Sequence, residues 1–256
     1  MPDEKDLGEL ILTHNNKRIY RRDGIITKVF DHDHYAFSTV CQEAMYTAFA
    51  KELGLNVPDV YNVYPVGMDY ALEMEEIKGP TLAQLMEDNP QDTRKYIKIL
   101  VKVQQDAVLG RYCDDLILQR MKDKFHKRIS SSGLEASTRY DLHVRLNSFP
   151  NHNKLCHGDM APHNIILCDN KYYILDWAHA TVGNASGDAA VTYILFKLAG
   201  KDKEAEIYLN EFCKRSDIAR QVVEQWISIA SVSKLVKTED PEKRAMLMKN
   251  INVVEY

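Results

Sequence analysis

Leu155–Trp177 reads LCHGDMAPHNIILCDNKYYILDW, and the rest of the chain is best understood outward from it. Ile165–Leu167 and Tyr172–Leu175 are short apolar runs, and Cys168, Asp169, Asn170 and Lys171 between them are compatible with a turn. The segment is therefore expected to fold as a β-hairpin. Asn164 precedes its first strand and Asp176 follows its second. The two ends of an antiparallel hairpin lie side by side, so an amide oxygen and a carboxylate are expected to converge there. Hard oxygen ligands suit Mg2+, which keeps several waters and is usually completed by nucleotide phosphates. Asp159, on the loop just before, is then expected to face an acceptor hydroxyl. Phosphoryl transfer asks little covalent chemistry of a protein; positioning, charge neutralisation and a carboxylate that orients the hydroxyl supply most of the rate. Singly, Asp and Asn are common turn and capping residues. The ordered set His157, Gly158, Asp159, Pro162, Asn164 and Asp176 is what points to catalysis.

These residues resemble the aminoglycoside phosphotransferase family, within the wider kinase-like superfamily that also holds choline kinases and protein kinases. HGDMAPHN is similar to that family's catalytic loop, and LDW to its metal-binding segment, where protein kinases carry Asp-Phe-Gly. GDAAVTYILF, beginning at Gly187, resembles the next element, with Asp188 in the place of an aspartate that supports the catalytic loop from a helix start. The resemblance implies an α+β, protein-kinase-like two-lobe fold. A small antiparallel-sheet lobe with one main helix is expected over residues 1–76, and a larger helical lobe with the catalytic loop and acceptor site over 77–256. Asp159 is implied as catalytic base, Asn164 and Asp176 as Mg2+ ligands, His157 and Asp188 as supporting residues, and ATP or GTP as co-substrate.

Composition agrees with a compact enzyme. The chain has 256 residues and 45% hydrophobic residues, enough to bury a substantial core. Its five cysteines, at positions 41, 113, 156, 168 and 213, are scattered and show no CxxC spacing, which argues against a disulfide framework or zinc site and for a reducing cytoplasm. The amino terminus MPDEKDLGEL is polar and acidic, so neither a signal peptide nor a membrane span is expected. A formal charge of −4 gives no electrostatic reason to expect nucleic acid.

The first third reads as a sheet. Glu9–Thr13, Arg18–Arg22 and Ile25–Phe30 are strand-like and are separated by tight-turn sequences. Within IITKVF, Lys28 resembles by position the kinase lysine that holds the nucleotide's α and β phosphates; otherwise it is a solvent-facing strand residue. A helix is predicted over Tyr35–Leu53, with Gly54 as its stop and an apolar stripe from Phe37 to Leu53. Glu43 borders the stripe, and in the kinase reading it pairs with Lys28. Two more strands are expected at Val60–Val66 and Tyr70–Met74, with Asp69 in the turn between them. In the family the adenine hydrogen-bonds to backbone groups after this strand, which makes Glu75–Ile77 the candidates, with Met74 packing nearby. One departure stands out: the turn THNNKRIY has no glycine where many kinases carry a Gly-rich phosphate loop. Phosphate anchoring then rests more on Lys28 and the metals.

Helical spacing recurs at Asp92–Leu109, Leu116–Ser130, Asp188–Ala199, Glu204–Lys214 and Asp217–Lys237. The basic run KDKFHKR at 122–128 is interrupted by Asp123 and is expected to be a solvated helix face. DHDHY at 31–35 has metal-capable residue types but is expected to cap the following helix.

The acceptor is narrowed by exclusion. Ala161 stands where serine/threonine protein kinases usually have lysine, and only eleven residues separate Asp176 from Asp188, too few for the segment that seats a peptide. A small hydroxylated metabolite is the expected acceptor, with a protein substrate or a nucleotide-binding regulator as alternatives. Residues 201–256 hold ten acidic and ten basic side chains, so this region offers no negative bias for a polycationic aminoglycoside. His179, Asn184 and Trp226 are further candidates for the acceptor site.

Overall fold

The structure, a computed structural model, describes residues 4–113 and 117–252. Met1, Pro2 and Asp3 of the polar amino terminus, and Leu116 at the expected start of a helix, lie outside the described residues. The chain divides into two compact units. One comprises the described residues up to Leu85 together with His163–His179, and the other Met86–Pro162 and the described residues from Ala180 onward.

The first unit is built on an antiparallel sheet of β1 (Glu9–His14), β2 (Lys17–Arg22), β3 (Ile25–Phe30), β4 (Val60–Val66) and β5 (Asp69–Glu75), in the order β1-β2-β3-β5-β4. The β1–β2 turn is made by Asn15 and Asn16, with φ of 50° and 58°, which asparagine tolerates better than most residues. Alternation along β3 sorts its side chains. Val29 joins Leu7, Tyr20, Val66 and Ala71 in one apolar cluster. Ile26 and Phe30 join Val40, Ala44, Leu72 and Met74 in another, beneath α1 (Phe37–Glu52). Lys28 shares the parity of Ile26 and Phe30, so it emerges on the α1 face. Asp69 is not in a turn as expected. It opens β5 because it pairs with Val66 of β4 in the ladder, and its carboxylate ties Arg18 at 2.7 Å and the backbone N–H of His32 at 3.0 Å.

His163–His179 adds the hairpin β7 (Ile165–Cys168) and β8 (Lys171–Ile174). Its turn is two residues rather than four: Asp169 and Asn170, at φ 47° and 59°, close it, and Cys168 pairs with Lys171 in the ladder. The hairpin is tied to the rest of the unit by Ile174 N–H to Asn56 O and Leu167 N–H to Pro80 O. α2 (Leu82–Asp88) opens with a reciprocal cap. Thr81 Oγ1 accepts from Gln84 N–H, and Gln84 Oε1 accepts from Thr81 N–H.

The second unit is mainly helical: α3 (Thr93–Lys102), α4 (Met121–Ser130), α5 (Ala136–Ser148), α6 (Ala185–Leu198), α7 (Asp202–Ser216), α8 (Arg220–Glu224), α9 (Ile227–Leu235) and α10 (Pro241–Asn252), with a small two-stranded sheet of β6 (Lys154–Cys156) and β9 (Thr181–Gly183). The helix expected over Asp92–Leu109 runs as α3 and then widens into a π-helical segment, Val103–Leu109, where the buried Gln104 bonds to Asp188 and Tyr208. The single helix expected over Asp217–Lys237 is two. Asp217 adopts φ 53° and closes α7, and α8 and α9 follow with Gln225 and Trp226 between them. α5, α10 and the β6–β9 pair were not expected; α5 buries only Leu142 and Leu146, too few apolar residues to make a periodic signal. All five cysteines are free thiols, and no helix among the described residues is long and apolar enough to cross a membrane.

Candidate active site

In the first unit Lys28 Nζ lies 2.7 Å from Glu43 Oε1, and Glu43 is only 2% exposed. β3 brings the lysine to the face on which α1 lies, and α1 supplies the glutamate. Burial works against the Lys28 charge, but Glu43 and then Asp176 outweigh it, and its pKa stands above the ordinary lysine range. Asp176 therefore belongs to the same electrostatic group. It follows β8 with φ 59°, a left-handed conformation that costs a non-glycine residue energy and marks places where geometry serves a site. At the open end of the hairpin, Leu175 N–H donates to Asn164 O at 2.8 Å, so Asn164 and Asp176 flank one cross-strand bond. A buried amide oxygen and a carboxylate are hard donors, and this set fits a small divalent cation.

A second cation stands here that the sequence did not single out. Lys17, the first residue of β2, places Nζ 3.5 Å from Glu43 Oε2 and 4.7 Å from the centre of the Phe30 ring. It follows the glycine-free turn directly, and that turn is pinned: Tyr35 donates its hydroxyl to Asn15 O at 2.8 Å and Asp31 N–H donates to Asn16 O. The only sequence clue was a basic residue beside the missing glycines.

Met74 is buried in the core beneath α1. After it, Glu75 N–H donates to Asp59 O and Glu76 N–H to Gly24 O. Of the three residues expected to offer backbone groups to an adenine, Ile77 is thus the one whose N–H is not already used by these bonds. Asp31, His32 and Asp69 bring ligand atoms close together, but Asp69 is already engaged by Arg18 and by His32 Nδ1 at 2.8 Å. Asp31 Oδ1 accepts from Asp33 N–H within its own loop, so these residues close a local turn and do not cap α1 as expected: the cap position is Ala36, which has no side-chain cap bond.

In the second unit Gly158, at φ 74°, turns the chain after β6. Its N–H donates to Asp188 Oδ1 at 2.7 Å. Asp188 is fully buried and receives Gln104 Nε2 at 2.9 Å on its other oxygen. It lies inside the first turn of α6 rather than at its start, because Asn184 takes the capping role and accepts from Ser186 N–H. Asn184 is thus accounted for structurally, and Trp226, 2% exposed, packs against Phe125 and Phe149 in the core. His157 is buried, and its Nδ1 accepts the Asp159 N–H at 3.2 Å, so a neutral ring here carries its proton on Nε2.

Asp159 itself is ion-paired: Lys234 Nζ, from α9, lies 2.8 Å from Asp159 Oδ1. The basic run at 122–128 is not a uniformly solvated face. Lys127 is exposed, whereas Lys124 and Arg128, one turn apart on α4, are half-buried. Burial, then repulsion from Lys234, Lys237 and Arg128, lowers the Lys124 pKa to about 7, with Asp159 opposing. The four-residue spacing of Lys124 and Arg128 was legible in the sequence; their nearness to α9 was not.

The family model described as "Phosphotransferase enzyme family" matches residues 12–226 of the chain. No curated protein sequence matches it. Among solved structures, the chain is similar to a thermostable mutant of aminoglycoside phosphotransferase APH(4)-Ia in ternary complex with AMP-PNP and hygromycin B, at 13% identity and TM-score 0.66 over 95% of this chain and 91% of that one. It is similar also to the amicoumacin kinase hAmiN in complex with AMP-PNP, Ca2+ and Ami, at 12% identity and TM-score 0.64 over 97% and 88%. An aminoglycoside-3'-phosphotransferase of type VIII is similar at 14% identity and TM-score 0.65 over 89% and 93%. At these identities the likeness is one of fold, and the fold is the α+β, kinase-like two-lobe class that the sequence implied.

Proposed function

Because the chain belongs to the phosphotransferase enzyme family, we propose that it transfers the γ-phosphoryl group of ATP, or of GTP, to a hydroxyl of a small metabolite. The observation that carries this reading is the electrostatic group of Lys28, Glu43 and Asp176, at the end of a hairpin that begins shortly after Asp159. Residues 1–76 are proposed to hold the nucleotide and residues 77–256 to carry the catalytic loop and the acceptor site. The AMP-PNP in the complexes with APH(4)-Ia and hAmiN supports an adenine nucleotide as donor.

In this reading Lys28, oriented by Glu43, binds the inner phosphates, and Lys17 adds a second ammonium where no glycine-rich loop is present. Mg2+, when bound by Asn164 and Asp176, neutralises charge on the phosphates. Asp159 orients the acceptor hydroxyl and accepts its proton as the new O–P bond forms. The bond from the γ phosphorus to the β–γ bridging oxygen breaks, and the nucleoside diphosphate leaves with that electron pair. Gly158 and Asp188 hold the loop that presents Asp159. Ala161 and the eleven residues between Asp176 and Asp188 favour a small acceptor over a peptide. The cytoplasm is the proposed compartment, since all five cysteines are free.

The test is a screen of hydroxylated metabolites with ATP and GTP in the presence of Mg2+. Transfer that Asp159→Ala abolishes in a folded protein is the expected result. Nucleotide binding with wild type and Asp159→Ala equally silent would instead make the chain a nucleotide-binding regulator.

A further inference from the structure

Within the second unit the loop that bears Asp159 is held at its main chain and at its side chain by different elements. The Asp159 N–H donates to His157 Nδ1 at 3.2 Å, and the Gly158 N–H donates to Asp188 Oδ1 at 2.7 Å. These bonds fix the backbone; the direction of the carboxylate is set separately. Met160, Ala161 and Pro162, the next three residues, carry no charge with which to set it. Lys234 does carry one, and its Nζ lies 2.8 Å from Asp159 Oδ1, with the two side chains only 15% and 18% exposed. An ion pair so far out of water is stronger, and better defined in geometry, than one on an open surface.

The lysine is delivered by a well-anchored helix. Ile229, Ala230, Val232 and Leu235 are buried along α9, and the helix packs against α4, α6 and α10. Its C-terminal end is tied down. Thr238 Oγ1 donates to Lys234 O at 2.9 Å, and Arg244 Nη1, from α10, donates to Leu235 O at 3.0 Å and to Thr238 O at 2.8 Å. Lys234 stands in the last turn of α9, where the helix dipole favours a cation. α6, on which α9 packs, is the helix that bears Asp188. Two packed helices thus converge on consecutive residues of one loop, α6 on the main chain of Gly158 and α9 on the side chain of Asp159. Such support from neighbouring elements is what holds a reacting group in one productive geometry.

We propose that Lys234 is a positioning residue for phosphoryl transfer: by binding Oδ1 it fixes the direction in which the Asp159 carboxylate meets the acceptor hydroxyl. This rests on the phosphotransferase reading above and deepens it. Lys234 donates a hydrogen bond and gives up no proton; Asp159 remains the group that accepts the proton of the hydroxyl. Because Lys234 acts through Asp159, its loss is expected in kcat rather than in nucleotide binding.

The test measures initial rates with Mg2+ and ATP for wild type, Lys234→Met, Lys234→Gln and Lys234→Arg, beside urea unfolding of each. The acceptors are water and a pool of sugars, amino alcohols and hydroxy acids. Lys234→Met is expected to lower kcat by about ten- to a hundredfold, the loss that follows a misplaced catalytic group, while KM for ATP stays within about twofold of wild type. Lys234→Gln, which keeps a polar chain without the charge, is expected to do the same and serves if Lys234→Met does not fold. Lys234→Arg returns a cation to Asp159 and is expected to recover part of kcat. A purely structural ion pair would show the opposite split, a lowered urea midpoint with kcat of the folded protein unchanged, and that result overturns the proposal. So does a loss confined to KM for ATP, or a Lys234→Arg protein no faster than Lys234→Gln. Absence of Asp159-dependent transfer by wild type to every acceptor, water included, instead overturns the phosphotransferase reading, and the proposal falls with it.

Discussion

The backbone N–H of Gly158 donates to the buried carboxylate of Asp188 at 2.7 Å, so a helix in the second unit holds the loop that bears Asp159 by its main chain. Asp188→Ala would leave that N–H and the Gln104 amide without their acceptor. Losing one side of a buried, charged hydrogen-bond network costs about 3–5 kcal/mol. Urea unfolding of Asp188→Ala should show a loss of that size, with transfer reduced further than Asp188→Asn reduces it. A stability change below about 1 kcal/mol would mean that the loop is held by other bonds.

Glu43 joins two lysines, Lys28 at 2.7 Å and Lys17 at 3.5 Å. Lys28→Ala should lower kcat/KM for the nucleotide by about a hundredfold or more, and Lys17→Ala by about tenfold. A double-mutant cycle between Lys17 and Glu43 should return a coupling smaller than that between Lys28 and Glu43, as the longer distance requires. Equal nucleotide kinetics for wild type and Lys17→Ala would remove Lys17 from the phosphate site.

Lys124 makes stability depend on pH. Its pKa in the fold is about 7, while the unfolded chain keeps the proton up to the ordinary lysine range. Between those values the unfolded state binds more protons, so stability rises with pH across that window; at lower pH both states carry the charge and the fold bears the full penalty. Lys124→Met should therefore be more stable than wild type by about 1–3 kcal/mol at pH 6, with the gap largely closed at pH 10. Denaturant melts at the two pH values check it, and a gap independent of pH would count against a desolvated lysine.

Gly187 sits in the first turn of α6 where a Cβ would lie 2.7 Å from Met121 Sδ and 2.9 Å from Trp226 Cε3. Gly187→Ala must displace both the methionine and the indole. A cost of about 1–3 kcal/mol is expected from overpacking of this kind. Thermal unfolding measures it, and adding Met121→Ala should recover part of the loss if the clash is its source.

The strands were legible because their signals are local. Val60–Val66 was readable to the residue, and β1 to β3 to within a residue at each end, since alternation and turn residues depend only on neighbours in sequence. Helices without a broad apolar stripe, such as α5, were not legible, and neither was the break between α8 and α9. Asn184, not Asp188, caps α6, because either residue type serves as a cap and only the backbone geometry chooses.

From the sequence alone came the hairpin with Asn164 and Asp176 at its ends and the loop bearing Asp159, read from residue types at short spacings, while the pairing of Lys28 with Glu43 came from the resemblance to kinases. Only the tertiary structure could bring Lys17 to Glu43, Gln104 to Asp188, and Lys234 to Asp159. These contacts join residues 26, 84 and 75 positions apart. A charge acts through space, and the packing of α4 on α9, not the order of residues along the chain, decides which charges share it.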